Sequence, residues 1–216
     1  MKTLKLKKEL RPTIGLISQV TKLPYPSWSL SAFDCKTGGQ LAKIEGSVCH
    51  GCYAMKGNYQ RFHRHTYDEN QEAYLNKGFV DKFIEFININ KLETFRWFDS
   101  GDLQNEILLM KIGQIADGCP NTKFWLPTRE RQILENYSKM NKGKKLNKLH
   151  PNLVIRLSAN FVNKDPDYKF AKKIGVLVSS VKTGDTNCRV FETNNQCGDC
   201  RKCTDINIFE ISYKLH

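Results

Sequence analysis

Four of the eight cysteines in this 216-residue chain crowd into sixteen residues near the C-terminus, Cys188, Cys197, Cys200 and Cys203, the last three within Cys-Gly-Asp-Cys-Arg-Lys-Cys. Thiols packed that tightly are read as ligands. Cys49 and Cys52, with Cys35 upstream, form a second group that offers three thiols and no obvious fourth protein partner. The two groups differ chemically. Four thiolates close a metal or cluster coordinatively, whereas three leave one position open to a substrate or cofactor, the same contrast that separates structural from catalytic metal sites.

A disulfide scaffold is the competing use of eight cysteines, but it belongs chiefly to short secreted chains that cannot build a core. The N-terminal Met1-Lys-Thr-Leu-Lys-Leu-Lys-Lys carries charge with no apolar run behind it. No stretch approaches the roughly 20 apolar residues of a membrane span. These features predict no membrane partner and a reducing, cytoplasmic setting, where cysteine pairs at two-residue spacing are metal ligands or redox thiols more often than disulfides.

Charge departs from average: 34 Lys and Arg stand against 22 Asp and Glu, a formal net of +12 that ligand thiolates would lower. Part of the excess is local, in Lys2 to Arg11 and Lys139 to Lys148. Such a surface suits a polyanionic partner, nucleic acid first. A solvated lysine-rich face accounts for the same charge without a partner.

Hydrophobic periodicity predicts the organisation. Tyr67 to Lys77 and Phe79 to Ile89 carry helical spacing, as two helices or one broken at Gly78. An aromatic strand starts at Thr94, a helix spans the segment around Ile107 to Ile115, and strands follow at Lys123 to Thr128, Leu153 to Ala159 and Ile174 to Val181, with a helix from Glu130 to Met140. This alternation predicts an α/β fold with a parallel, partial (β/α) barrel-like sheet and crossover helices. Thr183 to Thr204 has no apolar period and reads as a loop organised by its thiols. The expectation is a single α/β domain over residues 1–216, with a barrel-like core at 34–182 and a cysteine-rich C-terminal extension at 183–216.

In parallel α/β sheets ligands collect at the carboxyl ends of the strands. Polar residues stand at those ends here: Asp99-Ser100-Gly101-Asp102, Thr128-Arg129-Glu130, Ser158-Ala159-Asn160 and Ser179-Ser180. Each group contains a good helix N-cap type, Ser, Asp, Thr or Asn, and for Ser179 and Ser180 capping suffices. Ser100-Gly101-Asp102 is the stronger candidate, because glycine permits close backbone approach and the flanking aspartates accept from an amine.

Several motifs in this order, Cys-x2-Cys-Tyr-Ala-x-Lys-Gly at Cys49, Phe-Arg-Trp-Phe-Asp-Ser-Gly-Asp-Leu at Phe95, Trp-x-x-Thr-Arg at Trp125, Arg-x-Ser-x-Asn at Arg156 and the terminal Cys-x2-Cys-x2-Cys, resemble the phage-associated gene product 88 family. If the chain is phage-encoded, its setting is the host cytoplasm. A looser likeness joins it to radical S-adenosylmethionine enzymes, which hold a 4Fe-4S cluster on three cysteines, the last followed by an aromatic residue. That resemblance implies Cys35, Cys49 and Cys52 as cluster ligands with Tyr53 beside them. It further implies Ser100, Gly101 and Asp102 for the cofactor's amino group, and Arg156 and Ser158 for its carboxylate or ribose. The spacing departs from the usual Cys-x3-Cys-x2-Cys, since thirteen residues separate Cys35 from Cys49. An insertion containing Gly38, Gly39 and Gly46 must loop out between them.

Soft thiolate ligands suit iron–sulfur clusters, and the x2, x2 spacing supplies three ligands of a cubane in ferredoxin-type runs. Iron is therefore favoured at Cys188, Cys197, Cys200 and Cys203, with structural zinc as the alternative. The implied cofactors are one or two 4Fe-4S clusters and S-adenosylmethionine, and a reductant protein is the implied electron source. Three classes follow: a radical S-adenosylmethionine-like enzyme modifying nucleic acid or a nucleotide, a metal-stabilised nucleic-acid-binding protein, and a redox regulator. Cys119 reads as a buried free cysteine, His50 as a loop or supporting residue, and Arg61, His63, Arg64 and His65 as an exposed polar helix face. Core packing is the default for Trp28, Trp97 and Trp125.

Overall fold

A computed structural model describes residues 9–215, and within the third helix it does not describe the side chains of Asn58 and residues 60–66. Lys2 to Lys8 of the N-terminal basic run, and the side chains of Arg61, His63, Arg64 and His65, lie outside the described residues.

Six strands form one open sheet in chain order, and every neighbouring pair is parallel. They are β1 (Ser27–Trp28), β2 (Thr94–Trp97), β3 (Lys123–Thr128), β4 (Leu153–Ser158), β5 (Leu177–Lys182) and β6 (Glu210–Lys214). The helices are α1 (Arg11–Ile14), α2 (Lys36–Leu41), α3 (Asn58–Ala73), α4 (Phe79–Ile89), α5 (Glu106–Gly118), α6 (Arg131–Met140), α7 (Leu146–Leu149) and α8 (Tyr168–Ile174). When parallel strands are added in sequence order through right-handed crossovers, the connecting helices gather on one face. Here α4 packs on α5, α5 on α6 and α6 on α8.

That helical face holds the main core. In α4, Phe79, Phe83, Phe86 and Ile87 recur at the spacing of one helix face and are all buried. They meet Trp28, Phe95, Trp97 and Phe124 from the sheet, with Phe83 at 4.9 Å from Trp97 between ring centroids. Burying one such side chain contributes about 1.5–3 kcal/mol. Asn105 caps α5 by accepting from Leu108 N at 2.8 Å, Asp167 caps α8 from Phe170 N at 2.9 Å, and Gly175 ends α8 in the left-handed conformation.

The α/β expectation holds, as does the helical break near Gly78, since α3 ends at Ala73 and α4 begins at Phe79. Three details differ. The aromatic strand stops at Trp97, because Phe98 takes a positive φ of 56°. Ile174 closes α8 and does not open β5, and Ser179 and Ser180 lie inside β5 and do not cap a helix. The edge strands β1 and β6 carry no sequence signal strong enough to mark them: one has two residues, and the other reads Glu-Ile-Ser-Tyr-Lys. All three tryptophans lie in strands and are buried, and Cys119 sits in the helical-side core.

The opposite face of the sheet is smaller and more polar. Arg96, Trp125 and Val154 lie in one register row. Leu23 and Tyr25 cover Trp125 together with Val20, Cys197, Cys203 and Tyr213. The cysteine-rich segment therefore lies against the sheet face, its short turn Lys202–Thr204 over β3 and β4.

Candidate metal centres

Beyond β1 the chain turns through Ala32–Asp34, where Ser31 Oγ accepts from Phe33 N, and Cys35 then stands at the N-cap of α2. The insertion that the spacing required is thus α2 plus a turn at Gly46, whose φ is 79°. It is pinned to the end of β4 by an antiparallel bridge between Ser47 and Phe161 and by Val48 N donating to Asn160 O at 2.9 Å. Cys49 and Cys52 follow in a tight turn, with Cys52 N on Cys49 O at 3.1 Å.

Gly38, inside α2, shows how closely the thiols approach. A Cβ placed there would lie 3.6 Å from both Cys35 Sγ and Cys49 Sγ. The absence of a side chain at Gly38 keeps the space between the two sulfurs clear.

Burial pushes the Cys35 thiol far above its usual range, helped by Asp102, Cys49, Cys52 and Glu130. Burial also pushes Cys49 up, with Cys52, Asp102 and Glu130 adding to the rise and Arg129 opposing it. Three thiols and two buried carboxylates therefore face one guanidinium. A metal or cluster would supply the positive charge that favours the thiolate form of Cys35 and Cys49.

Tyr53 leaves half its ring exposed but turns its hydroxyl inward to donate to Asp99 O at 2.7 Å. Asp99 Oδ1 accepts from Ser27 Oγ and Ser29 Oγ, and Asp99 Oδ2 from Tyr59. Gly101 has φ 76°, and a Cβ there would meet Leu30 O at 2.6 Å, so its close approach is to the chain's own backbone. Ser100 O accepts from Leu30 N, closing the same contact. Asp102 is buried and accepts from Leu103 N at 2.7 Å, Thr128 Oγ1 at 2.5 Å and Arg129 N at 2.9 Å. Burial still outweighs these donors and pushes its carboxyl up to about 6. The strand-end aspartates are thus largely engaged within the protein. Glu130 accepts from Thr37 N and Oγ1, both at 2.9 Å, and so ties the end of β3 to α2.

The four-thiol group is held by Arg156, which is 0% exposed. Its Nε donates to Cys203 O at 3.0 Å, Nη2 to Lys202 O and Asp205 O, and Nη1 to Ile208 O, Phe209 O and Val178 O. The carboxylate or ribose role implied by resemblance therefore does not fit Arg156, whose donors are occupied by carbonyls. It fastens the cysteine-rich segment to β4 and β5. Ser158 accepts from Ser179 Oγ at 3.1 Å. Within the segment, Cys197 is close enough to Cys188 and Cys200, and Cys203 to Cys188, for each thiol to feel the others' charge. Burial pushes Cys203 up to about 11, against the pull of Tyr213, whose hydroxyl is 3.4 Å from Cys203 Sγ, and of Arg156 and Arg96.

All eight cysteines are free thiols. Among the described residues, no three Cys, His, Asp or Glu side chains stand at the spacing of one metal ion's ligands. Tetrahedral zinc needs sulfurs about 2.3 Å from a single centre, whereas a cubane binds each thiolate to a different iron and spaces them more widely. His50 is exposed, its Nδ1 3.2 Å from Ala42 O, as suits a loop residue.

Sequence reasoning passed over Arg96. It is a charged residue inside an aromatic strand, and its guanidinium stacks on Trp125 at 4.5 Å from the ring centroid. Its charge acts on Tyr53, the chain neighbour of Cys52, and on Cys197 and Cys203. Arg129 and Glu130 were legible only as strand-end polar residues. The signal for Arg96 was its place between Phe95 and Trp97, where strand alternation puts it on the face opposite the aromatic core.

The fold and these two centres define an open, all-parallel α/β protein with a thiol group at its strand ends and another folded over its polar sheet face. A model of the gene product 88 family matches residues 4–207, and the chain belongs to that family. No curated protein and no solved structure matches it. Among the described residues no helix is long and apolar enough to cross a membrane.

Proposed function

We propose that the protein is an iron–sulfur protein that works as a radical S-adenosylmethionine-like enzyme, with an open cluster on Cys35, Cys49 and Cys52. The observation that carries this reading is the gathering of those thiols with Asp102 and Glu130 at the strand ends, with Arg129 opposing their negative charge. When bound, such a cluster supplies an electron and an iron free to chelate an amino acid's amino and carboxylate groups. Gly38 places no side chain against Cys35 and Cys49, Tyr53 ties the turn after Cys52 to Asp99 O, and the insertion is anchored to the end of β4. Cys188, Cys197, Cys200 and Cys203 hold a closed auxiliary centre, iron before zinc, fastened by Arg156. The basic chain favours a nucleotide or nucleic-acid substrate. A reductant protein is the electron source.

A second reading draws on the same charge: a metal-stabilised nucleic-acid-binding protein without chemistry, or a redox regulator. Iron, acid-labile sulfide and zinc per chain in anaerobically purified protein separate these readings, together with spectra of the reduced sample before and after S-adenosylmethionine. About eight irons, as two cubanes require, with a spectral change on adding the cofactor, support the enzyme. Zinc without iron overturns it in favour of the binding protein.

A further inference from the structure

At the carboxyl ends of β3 and β4 lies an open cleft of about 280 Å³, lined in part by Arg129, Ser158, Asn160 and Lys164. Asn160 and Phe161 form part of its wall, and the same two residues hold the Ser47–Val48 turn that leads into Cys49.

The charges around it are unevenly matched. Arg131 is answered by Asp167 at 2.7 Å and packs over Phe170. Lys164 has Asp165 as its chain neighbour at the rim. Arg129 makes no side-chain hydrogen bond or carboxylate ion pair among the described residues, and its Nε is buried without an acceptor. Arg129 therefore lines the cleft as a cation not held in an ion pair, its forked Nη end being the part left to meet a ligand oxygen. Ser158 accepts from Ser179, which leaves its own hydroxyl proton to donate.

We propose that this cleft binds the phosphate group of a nucleotide or nucleic-acid strand, with Arg129 as its anchor, and presents the attached nucleoside to the three-thiol centre. The inference rests on the reading of that centre as the reactive site and adds its substrate class. A carboxylate offers two oxygens, which one guanidinium satisfies. A phosphate offers three, enough for the Arg129 fork, Ser158 and Lys164 together.

The test is equilibrium binding of adenosine monophosphate and of adenosine to the full chain, purified anaerobically, with iron measured on the same samples. The expected result is at least tenfold tighter binding of the monophosphate, lost in Arg129→Gln and partly kept in Arg129→Lys. Equal affinity for both probes, or an unchanged preference in Arg129→Gln, overturns the proposal. If Arg129→Gln does not fold, the exposed Lys164→Gln variant takes its place: it must weaken the monophosphate at least threefold and leave adenosine unchanged, and no effect overturns the proposal. A short single-stranded oligonucleotide that displaces the monophosphate identifies a strand as the phosphate source. Failure to displace identifies a free nucleotide. Phosphate preference that persists in protein without iron leaves the cleft standing and removes the redox reading of the thiols.

Discussion

The guanidinium of Arg96 lies over the indole of Trp125, 4.5 Å from its centroid, on the sheet face that the cysteine-rich segment covers. Half-buried and stacked, it is a fixed positive charge acting on Tyr53 and on Cys197 and Cys203. Replacing it with Gln removes that charge and keeps much of the side-chain volume. The thiols of Cys197 and Cys203 are expected to titrate at higher pH in Arg96→Gln, seen as a delayed rise in thiolate absorbance of the metal-free protein. An unchanged titration would place Arg96 out of electrical contact with them.

Arg156 predicts a mechanical dependence. Arg156→Ala leaves the carbonyls of Lys202, Cys203, Asp205 and Ile208 without their buried donor. The expected loss is at least about 3 kcal/mol, from buried acceptors left unsatisfied, read by urea denaturation. Metal content should fall at the four-thiol group first.

The two thiol groups predict separable metal loss. Cys49→Ala or Cys52→Ala should abolish the first centre and leave the second. Cys200→Ala should instead compromise folding and solubility, because Cys197 and Cys203 pack under the same segment against Tyr25 and Trp125. Equal loss of both centres from either change would show that the ligands are divided wrongly. Metal analysis of each variant decides it.

Asp102 predicts the acid-side behaviour. Burial pushes its carboxyl up to about 6 in the folded chain, above the value of about 3.9 for a free Asp. The folded state therefore holds the proton more tightly. The stability this contributes is complete below about pH 4 and is lost as pH rises through about 6. Thermal midpoints of the metal-free chain should fall across that window, and Asp102→Asn should flatten the fall. Cys203, pushed up to about 11, repeats the pattern at alkaline pH: its contribution is complete below the usual thiol value of about 8.5 and is lost through about 11.

Gly101 is predicted to tolerate no side chain. Its φ of 76° and the Leu30 carbonyl 2.6 Å from a Cβ position make Gly101→Ala both strained and clashing. A cost of about 2–3 kcal/mol is expected, measurable by thermal unfolding. A neutral substitution would mean that the β1 and β2 ends separate without cost.

By itself the sequence determined the parallel α/β class, because helical and strand periods alternate from Tyr67 to Val181 and period is a local property. It also led us to propose dividing seven cysteines into a three and a four, a reading that rests on their spacing along the chain. Only the tertiary structure decided which charged side chains serve which group. Arg156 looked like a ligand-binding residue and instead holds backbone carbonyls, since the cysteine-rich segment folds back over β4 from about fifty residues away. Arg96 gave a weak signal because its importance comes from what lies across the sheet face. Gly38 looked like loop flexibility, yet it sits in a helix where the missing Cβ clears the space between Cys35 and Cys49. These roles depend on contacts between segments far apart in sequence, which no local pattern specifies.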